Sequence, residues 1–316
     1  MKYKQWSVAP PCPEGEQALI RDGLSPLLAK VLSARGVTTS EEARAIISPE
    51  EHRLHDPMLL RDMDKAVARI RKAIDYKELI AVYGDYDVDG ITSTCLLTRC
   101  LTALGGTVQP YIPDRLEEGY GLNYEAIDLL AADGVKLIVT VDCGITAVEE
   151  VSYAKEKGID VVITDHHACK ETLPPAEAVV DPHHPDCSYP FKGLAGVGVA
   201  LKLALAVADP AEREEVFDAC CDLAAIGTVA DVMPMTGENR LLVRRGMAHL
   251  NPARRLGLLQ LIRSAGLEEK AVTAVSVGYT LAPRINASGR MGRARVALEL
   301  LLSRDPARAE ELAEEL

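Results

Sequence analysis

The pattern of apolar positions changes near Leu79. From there, short apolar runs alternate with longer stretches in which apolar residues recur every three or four positions. The runs are Leu79 to Tyr83, Val108 to Ile112, Leu137 to Val141, Val161 to Thr164 and Ala178 to Val180. Continuous apolar runs indicate strands buried on both faces, and helices at 92–104, 123–132 and 147–157 supply the crossovers that parallel strands require. The pattern predicts an α/β fold with a doubly wound, mainly parallel sheet and flanking helices.

Helical patterns lie on both sides of this segment. Before it, Ser40 to Ile47 begins with an N-cap-like serine, and residues 61–75 space their apolar side chains by three and four. After residue 193 the helical stretches are Leu194 to Val207, Ala211 to Val229, Asn239 to His249, Arg254 to Ala265 and a last helix from Asp305. We predict a helical preface over 1–75, an α/β domain over 76–235, and a helical extension over 236–316 ending in the start of an inter-domain linker helix.

Composition narrows the class of protein. The 316 residues are 48% hydrophobic, which suffices for a substantial core. Eight cysteines occur without a CxxC pair, and Cys95, Cys100, Cys143 and Cys220 sit in apolar segments, as buried thiols of a reducing compartment do. The start of the chain lacks the apolar stretch of a signal peptide, and no window approaches the length of an uncharged membrane span. We therefore expect a cytoplasmic protein that has no membrane partner.

The formal net charge of -12 is only a weak argument against nucleic-acid partners. Proteins that bind nucleic acids usually present a basic face to the phosphates. Bound divalent cations, however, reverse the local potential where a phosphate must lie. The acidic balance thus leaves a metal-dependent, phosphate-binding site open.

Acidic and imidazole side chains collect at the predicted carboxyl ends of the strands. These residues are Asp85, Asp87 and Asp89 after the first run, Asp142 after the third, and Asp165-His166-His167 after the fourth. The carboxyl ends of strands in a wound sheet line one crevice. Clustered carboxylates with an imidazole are what a two-metal hydrolytic centre requires. Because adjacent histidines on an extended segment project to opposite sides, only one of the pair fits as a ligand of the same ion.

Each of these features also has a simpler structural interpretation. The acidic run places Gly90 at the sixth position of an EF-hand loop, but Leu96 stands where that loop needs a bidentate Glu. A solvated turn remains the alternative for the run. Asp142 fits an N-cap of the next helix, and Asp231 fits a surface acid at a helix end. Arg115, in a glycine-rich turn, fits an ordinary solvated charge.

Taken together, the motifs resemble the DHH phosphoesterase superfamily and, within it, the RecJ single-stranded-DNA exonucleases. The acidic run and Asp165-His166-His167 are typical of the superfamily, while the turn that carries Arg115 and the glycine-flanked loop that carries Arg290 are typical of RecJ proteins. The other matching segments are Val141 to Gly144, Leu194 to Gly198 and Gly227 to Asp231. The resemblance runs from about Trp6 to the end of the chain.

This resemblance implies a set of site residues. The implied metal ligands are Asp87, Asp89, Asp142, His166 and Asp231, with Asp85 as an additional or second-layer carboxylate. Asp142 would bridge two ions, and His167 would face the scissile phosphate as a catalytic donor. Arg115 and Arg290 would bind substrate phosphate together with His167. Carboxylates with one imidazole suit Mn²⁺ or Mg²⁺.

The function implied by the resemblance is metal-dependent 5′ to 3′ exonucleolysis of single-stranded DNA, releasing 5′ mononucleotides in repair and recombination. The expected partners are single-stranded DNA and repair proteins such as a helicase or a single-strand binding protein. RecJ proteins continue into DHHA1 and OB-fold domains that are absent here, which predicts weakened DNA binding. Two alternatives stay open, namely a DHH phosphodiesterase acting on oligoribonucleotides or cyclic dinucleotides, and a non-catalytic Cdc45-like replication scaffold.

Overall fold

The computed structural model describes residues 9–10, 12–47, 53–115, 118–290 and 292–316, and within them every side chain except those of Ala45 and Arg290. The chain divides into two compact units, Met1–Leu54 and His55–Leu316. The first unit contains helices α1 (Pro13–Arg21), α2 (Pro26–Ser33) and α3 (Ser40–Ile47), packed around a small core that includes Leu19 and Leu32. Its third helix has the bounds that the sequence predicts.

The second unit begins with a 3₁₀ turn (Pro57–Leu59) and α4 (Met63–Asp75), so the predicted preface of residues 1–75 extends across both units. The predicted domain boundaries near residues 75 and 235 stay a prediction.

The centre of the second unit is a five-stranded sheet in which every neighbouring pair is parallel. Its strands are β1 (Leu79–Gly84), β2 (Thr107–Tyr111), β3 (Val135–Val141), β4 (Asp160–Thr164) and β5 (Ala178–Val180). Their order across the sheet is β2-β1-β3-β4-β5. The chain therefore reverses its winding between β1 and β3, the position where open α/β sheets form a crevice at the carboxyl ends of their strands. The predicted doubly wound α/β fold is confirmed.

Helices cover both faces of the sheet. The crossovers are α5 (Val88–Ala103), α6 (Tyr124–Ala132) and α7 (Val148–Glu156). Helices α6 and α7 enclose a core on one face that includes Tyr83, Ile127 and Ile163. On the other face lie α4, α5 and α8 (Gly196–Val207). Helix α5 starts four residues earlier than the pattern predicts, because Asp87 caps it by accepting a hydrogen bond from Gly90 N at 2.9 Å.

The remaining helices form the helical part that follows the sheet. They are α9 (Arg213–Ala230), α10 (Gly237–Leu250), α11 (Leu256–Ser264), α12 (Ala274–Ser276), α13 (Ala282–Arg290), α14 (Ala294–Leu302) and α15 (Pro306–Glu315), with a π-helical turn at Val277–Leu281 between α12 and α13. The interpretation of the Arg290 segment as a loop is wrong, since Arg290 is the last residue of α13. Pro283 obscured this helix because proline has no N–H to donate inside a helix and therefore predicts a break, whereas here it closely follows the π-helical turn in a continuous helical stretch. In the described part of the chain no helix is long and apolar enough to cross a membrane.

Candidate metal centre

The acidic run forms a tight turn between β1 and α5. Asp85 follows the strand directly, and Asp89 lies in the first turn of α5, where both side chains are buried. Gly90 makes this turn possible, because a Cβ atom there would lie 2.4 Å from the carbonyl oxygen of Asp85. The turn thus aims two carboxylates inward at the crevice between β1 and β3.

Helix α8 begins against the same carboxylates. Asp89 accepts hydrogen bonds from Gly196 N at 2.6 Å and Val197 N at 2.9 Å. A Cβ atom on Gly196 would lie 2.6 Å from Asp142 Oδ1, and one on Gly227 would lie 2.7 Å from Asp89 Oδ1. The two glycines therefore let α8 and α9 approach the buried acids, a role that the residue spacing alone does not reveal.

Asp142 lies at the centre of the cluster, just after β3. Its φ of 60° is unusual for a residue with a side chain, and its carboxyl is buried. In the described part of the chain, Asp142 Oδ1 accepts no well-aligned hydrogen bond, although His166 Nε2 lies 3.1 Å away. Backbone strain at such a position is characteristic of functional sites.

His166 connects the remaining acids. Its Nε2 atom lies 3.8 Å from Asp89 Oδ2 and 3.8 Å from Asp231 Oδ2. Asp231 is the residue that caps the C-terminal end of α9. Three segments distant in sequence therefore meet at one imidazole nitrogen, and all six metal ligands named from the sequence lie in one region of the second unit.

Burial and mutual repulsion disturb the titration of these groups. Burial, then the neighbouring Asp87, raise the pKa of Asp85 to about 7 and that of Asp231 to about 6. The pKa values of Asp89 and Asp142 are also raised, first by burial and then by nearby carboxylates. Burial and the adjacent His167 lower the pKa of His166 to about 4. A neutral imidazole among crowded carboxylates is the state in which a histidine can bind a metal ion.

Asp165 supports the two histidines and does not join the cluster of acids. Its Oδ1 atom accepts hydrogen bonds from His166 N at 2.7 Å and His167 N at 3.2 Å, and it lies 2.7 Å from His167 Nδ1. Its Oδ2 atom accepts a hydrogen bond from Ile145 N at 3.0 Å. Burial alone would raise the pKa of Asp165, but His167 and the backbone donors keep it below its usual value. The same pairing raises the pKa of His167 to about 9, so this half-exposed ring is protonated at neutral pH.

The donor atoms fit two divalent cations. Asp85, Asp87 and Asp142 each place one ligand atom within 4.8 Å of the others, and so do Asp89, His166 and Asp231. Asp142 belongs to the first group and lies against His166 of the second. Asp85 Oδ1 and Asp142 Oδ1 are buried oxygens without a hydrogen-bond partner among the described residues. Cations would satisfy both atoms.

Arg115 lies beside the cluster. It is exposed, and its Cζ atom is 5.0 Å from the centre of the Tyr86 ring. A cavity of about 280 Å³ is lined by Asp85, Tyr86, Asp87, Arg115, Tyr120 and Asn286. The rings of Tyr86 and His167 each meet that of Tyr120 edge-on, at 6.4 Å between centroids. Arg115 and the candidate metal ligands Asp85 and Asp87 thus line one cavity.

Tyr86 and Asn286 lie within motif segments, but the sequence assigned neither residue a role in this region. Asn286 Oδ1 accepts a hydrogen bond from Val88 N at 3.2 Å, which joins α13 to the start of α5. A Cβ atom on Gly289 would lie 2.3 Å from the carbonyl oxygen of Tyr86, so the end of α13 packs closely on the acidic turn. The side chain of the predicted phosphate ligand Arg290 lies outside the described residues.

Comparison with known proteins identifies the domain that contains most of the candidate metal ligands. The DHH family, N-terminal domain, matches residues 79–228. Over 313 residues the chain is 44% identical to the single-stranded-DNA-specific exonuclease RecJ of Bacillus subtilis (strain 168), a match that covers 99% of this chain and 39% of that protein. Residues 79–228 of this chain thus form a DHH-family domain. The chain as a whole is similar to the DHH-containing part of RecJ proteins.

Two solved structures from Thermus thermophilus resemble the chain along most of its length. RecJ in complex with Mn²⁺ matches with a TM-score of 0.78 and 35% identity, covering 97% of this chain and 43% of that one. RecJ in complex with Mg²⁺ matches with a TM-score of 0.68 and 32% identity, covering 97% and 40%. The chain therefore spans about two fifths of the length of these RecJ relatives.

Proposed function

We propose that this chain is the catalytic core of a metal-dependent 5′ to 3′ exonuclease that hydrolyses single-stranded DNA to 5′ mononucleotides in repair and recombination. The observation that carries the proposal is the position of Asp142, an unpaired buried carboxylate between one group of acids and the His166 group. Such an arrangement suits a ligand shared by two cations. The RecJ relatives supply the substrate class.

Mn²⁺ or Mg²⁺ would be the cofactor, as two ions. Asp85, Asp87 and Asp142 would hold one ion, and Asp89, His166 and Asp231 the other, with Asp142 shared. Oxygen-rich sites with one imidazole suit these metals, and the matching Thermus structures contain Mn²⁺ and Mg²⁺. When bound, such a pair of ions lowers the pKa of a coordinated water and neutralises charge on the phosphate.

His167 would act on the phosphate rather than on the metal. Its ring is protonated at neutral pH because Asp165 lies 2.7 Å from its Nδ1 atom, which leaves Nε2–H free to donate. A positioned acid of this kind donates a hydrogen bond to a phosphate oxygen or a proton to the departing 3′ oxygen. Asp165 would fix the orientation of the ring and keep it charged.

Arg115 and Arg290 would bind the phosphates of the strand. The contact between Arg115 and the Tyr86 ring holds a guanidinium group beside the acidic turn, where it can engage a phosphate with two hydrogen bonds. For Arg290, support comes from the sequence motif and from the packing of the end of α13 on that turn.

The alternatives receive less support. A non-catalytic scaffold has no need of a complete set of clustered acids, and the similarity to RecJ proteins favours DNA over oligoribonucleotides or cyclic dinucleotides. We also propose the cytoplasm as the location of the protein. Repair proteins such as a helicase or a single-strand binding protein would be its partners, since a single strand must be exposed before it can be degraded.

Product analysis on labelled DNA tests the proposal. With Mn²⁺, we expect single-stranded DNA labelled at its 5′ end to release labelled mononucleotide first, and the same strand labelled at its 3′ end to shorten progressively. Duplex DNA, a short oligoribonucleotide and a cyclic dinucleotide serve as competing substrates. Release from the 3′ end, or a preference for either of the RNA-type substrates, would contradict the proposal. Asp64→Asn, which changes an exposed acid on α4, is the matched control for loss of a carboxylate.

A further inference from the structure

Two cysteines from distant parts of the chain meet between α5 and α9. Cys100 Sγ and Cys220 Sγ lie 3.2 Å apart, although the residues are separated by 120 positions in sequence. Both side chains are buried, with 8% of Cys100 and 3% of Cys220 exposed. Neither takes part in the proposed hydrolysis, so their contact needs a separate explanation.

The position of this pair along the two helices is informative. Asp89 and Asp231 meet His166 at one end of the helix pair, and the two cysteines meet at the other. Each cysteine lies about three turns from the acid on its own helix, so α5 and α9 run antiparallel. A covalent link at the cysteines would fasten together the two helices that carry acids of the metal centre, without touching that centre.

The thiols are accessible to a small reagent. A cavity of about 360 Å³ is lined by both cysteines together with Arg99, Leu104 and Glu215, which is ample space for a molecule the size of hydrogen peroxide. The hydrogen bond from Cys220, aided by Arg255 and Arg99, lowers the pKa of Cys100. By contrast, burial raises the pKa of Cys95, on the same helix, to about 12. Cys100 is thus the better nucleophile of these two α5 thiols.

We propose that Cys100 and Cys220 form a reversible intramolecular disulfide that fastens α5 to α9 under oxidising conditions. With a peroxide, the Cys100 thiolate attacks one oxygen, the O–O bond breaks, and a sulfenic acid and one water form. The Cys220 sulfur then displaces the sulfenic oxygen as a second water. Two thiols lose two electrons and two protons in total, and the peroxide is reduced. A small disulfide such as oxidised glutathione gives the same product by exchange and leaves as two thiols.

The link should stabilise the fold and spare the metal site. Forming the bond requires the sulfurs to approach from 3.2 Å to about 2.05 Å, a shift that two packed helices can absorb. A cross-link that closes so long a loop restricts the unfolded chain strongly. We therefore expect the melting temperature to rise by several degrees on oxidation and to return on reduction. Binding of Mn²⁺ should stay within about twofold, because the acids lie about three turns away.

Peptide mapping of the whole 316-residue chain tests the proposal. The protein is treated with graded hydrogen peroxide or with glutathione redox buffers, digested without reduction and analysed by mass spectrometry, while melting is followed in parallel. We expect a Cys100–Cys220 linked peptide, loss of two free thiols per chain, and a rise in melting temperature that dithiothreitol reverses. Cys100→Ser and Cys220→Ser should abolish both changes, and Cys169→Ser, on a separate loop, should abolish neither.

Three outcomes would overturn the proposal. The first is absence of the linked peptide while circular dichroism shows a folded protein. The second is a linked peptide found only in the unfolded fraction. The third is a cross-linked protein that melts at a lower temperature than the reduced one. Because the linked peptide is sought in the unaltered chain, failure of a serine variant to fold leaves the test intact. A result in either direction is independent of whether the chain degrades DNA.

Discussion

A comparison of two buried groups of charged side chains in the second unit shows opposite arrangements. In one, the ammonium group of Lys202, with no exposed side-chain surface, donates to Glu238 Oε1 and, at 2.8 Å, to the carbonyl of His55. Glu238 also accepts from the Tyr189 hydroxyl at 2.5 Å and from His55 N at 2.8 Å. Every charge in this network has a partner within the chain.

The candidate metal centre shows the reverse arrangement. None of its five acids forms an ion pair with a lysine or arginine within the described ranges, and two buried oxygens have no hydrogen-bond donor. Uncompensated buried charge costs several kcal/mol, as a rule. A folded chain tolerates such a group where the missing positive charge comes from outside. The comparison teaches that unpaired buried acids, more than buried charge as such, mark the functional site.

Removing the central acid should have the largest effect. Asp142→Asn is expected to lower the rate of DNA hydrolysis by about four orders of magnitude, or ~5 kcal/mol, since the shared ligand of both cations is lost. The same change should raise the melting temperature of the metal-free protein, because it removes a buried carboxylate that its neighbours repel. Rates under saturating Mn²⁺ and melting curves in EDTA check the two halves of this prediction.

A loss of metal-free stability in Asp142→Asn would contradict the contrast between the two groups, since it would make Asp142 a structural residue like Glu238. The control is Asp64→Asn, which should change neither the rate nor the melting temperature appreciably. Manganese binding, followed by electron paramagnetic resonance, shows separately whether lost activity reflects lost metal.

The paired network should respond in the opposite sense. Lys202→Met leaves Glu238 buried without its cation and should destabilise the protein by about 3 to 5 kcal/mol. Adding Glu238→Leu should recover most of that loss, because the buried charge is then gone. Urea unfolding of both variants measures these energies. Activity per folded molecule should change little in both variants. If Lys202→Met were as stable as the wild type, the charge of Glu238 would not depend on Lys202 for compensation.

His167 combines features of both groups. It lies in the candidate site, yet it is paired with Asp165, as Lys202 is paired with Glu238. We expect His167→Gln to slow hydrolysis by about 100-fold through loss of a positioned acid, while manganese binding stays intact. The diagnostic is the pH profile: the wild-type rate should fall as pH rises through about 9, where His167 loses its proton. The variant should lack that limb. An unchanged profile would show that His167 acts only through position.

The sequence predicted the sheet and the acids far better than it predicted the surroundings of the acids. Strands such as Leu79 to Tyr83 are continuous apolar runs buried on both faces, so local pattern and tertiary environment agree. The acids could be named because the carboxyl ends of parallel strands must converge. The spacing of residues could not show that His166 lies within reach of Asp142, Asp89 and Asp231, because this depends on which strands are neighbours in the sheet. The resemblance to a known family supplied that grouping.

What remained hidden depends on contacts between distant segments. The role of Gly196 follows from how closely α8 approaches Asp142, and the role of Asn286 from the docking of α13 on α5. Neither leaves a periodic signal. Helices α1 and α2 were not predicted because each is short and begins with proline. In a sequence, a proline can indicate either the first turn of a helix or a break between helices.

The smallest predicted effect is a pH dependence of stability that the metal should erase. The folded-state pKa values of Asp85, about 7, and Asp231, about 6, lie above the unfolded value near 4. Their stabilising contribution is therefore fully present below about pH 4 and is lost as pH rises through 6 to 7. His166, with its lowered pKa of about 4, acts in the opposite direction below about pH 6.5, so the contribution of one acid is best isolated by difference.

Asp85→Asn provides that difference, because asparagine resembles the protonated acid and does not titrate. In EDTA, the melting temperature of the variant minus that of the wild type should be near zero below about pH 4 and grow by a few degrees toward pH 8, where the wild type alone carries the buried charge. Saturating Mn²⁺ should reverse the sign at pH 8, since the cation favours the charged carboxylate. A difference that is constant across pH would mean that the pKa of Asp85 is not raised in the folded protein. A pH-dependent difference that Mn²⁺ does not alter would mean that Asp85 lies outside the metal centre and that burial alone raises its pKa.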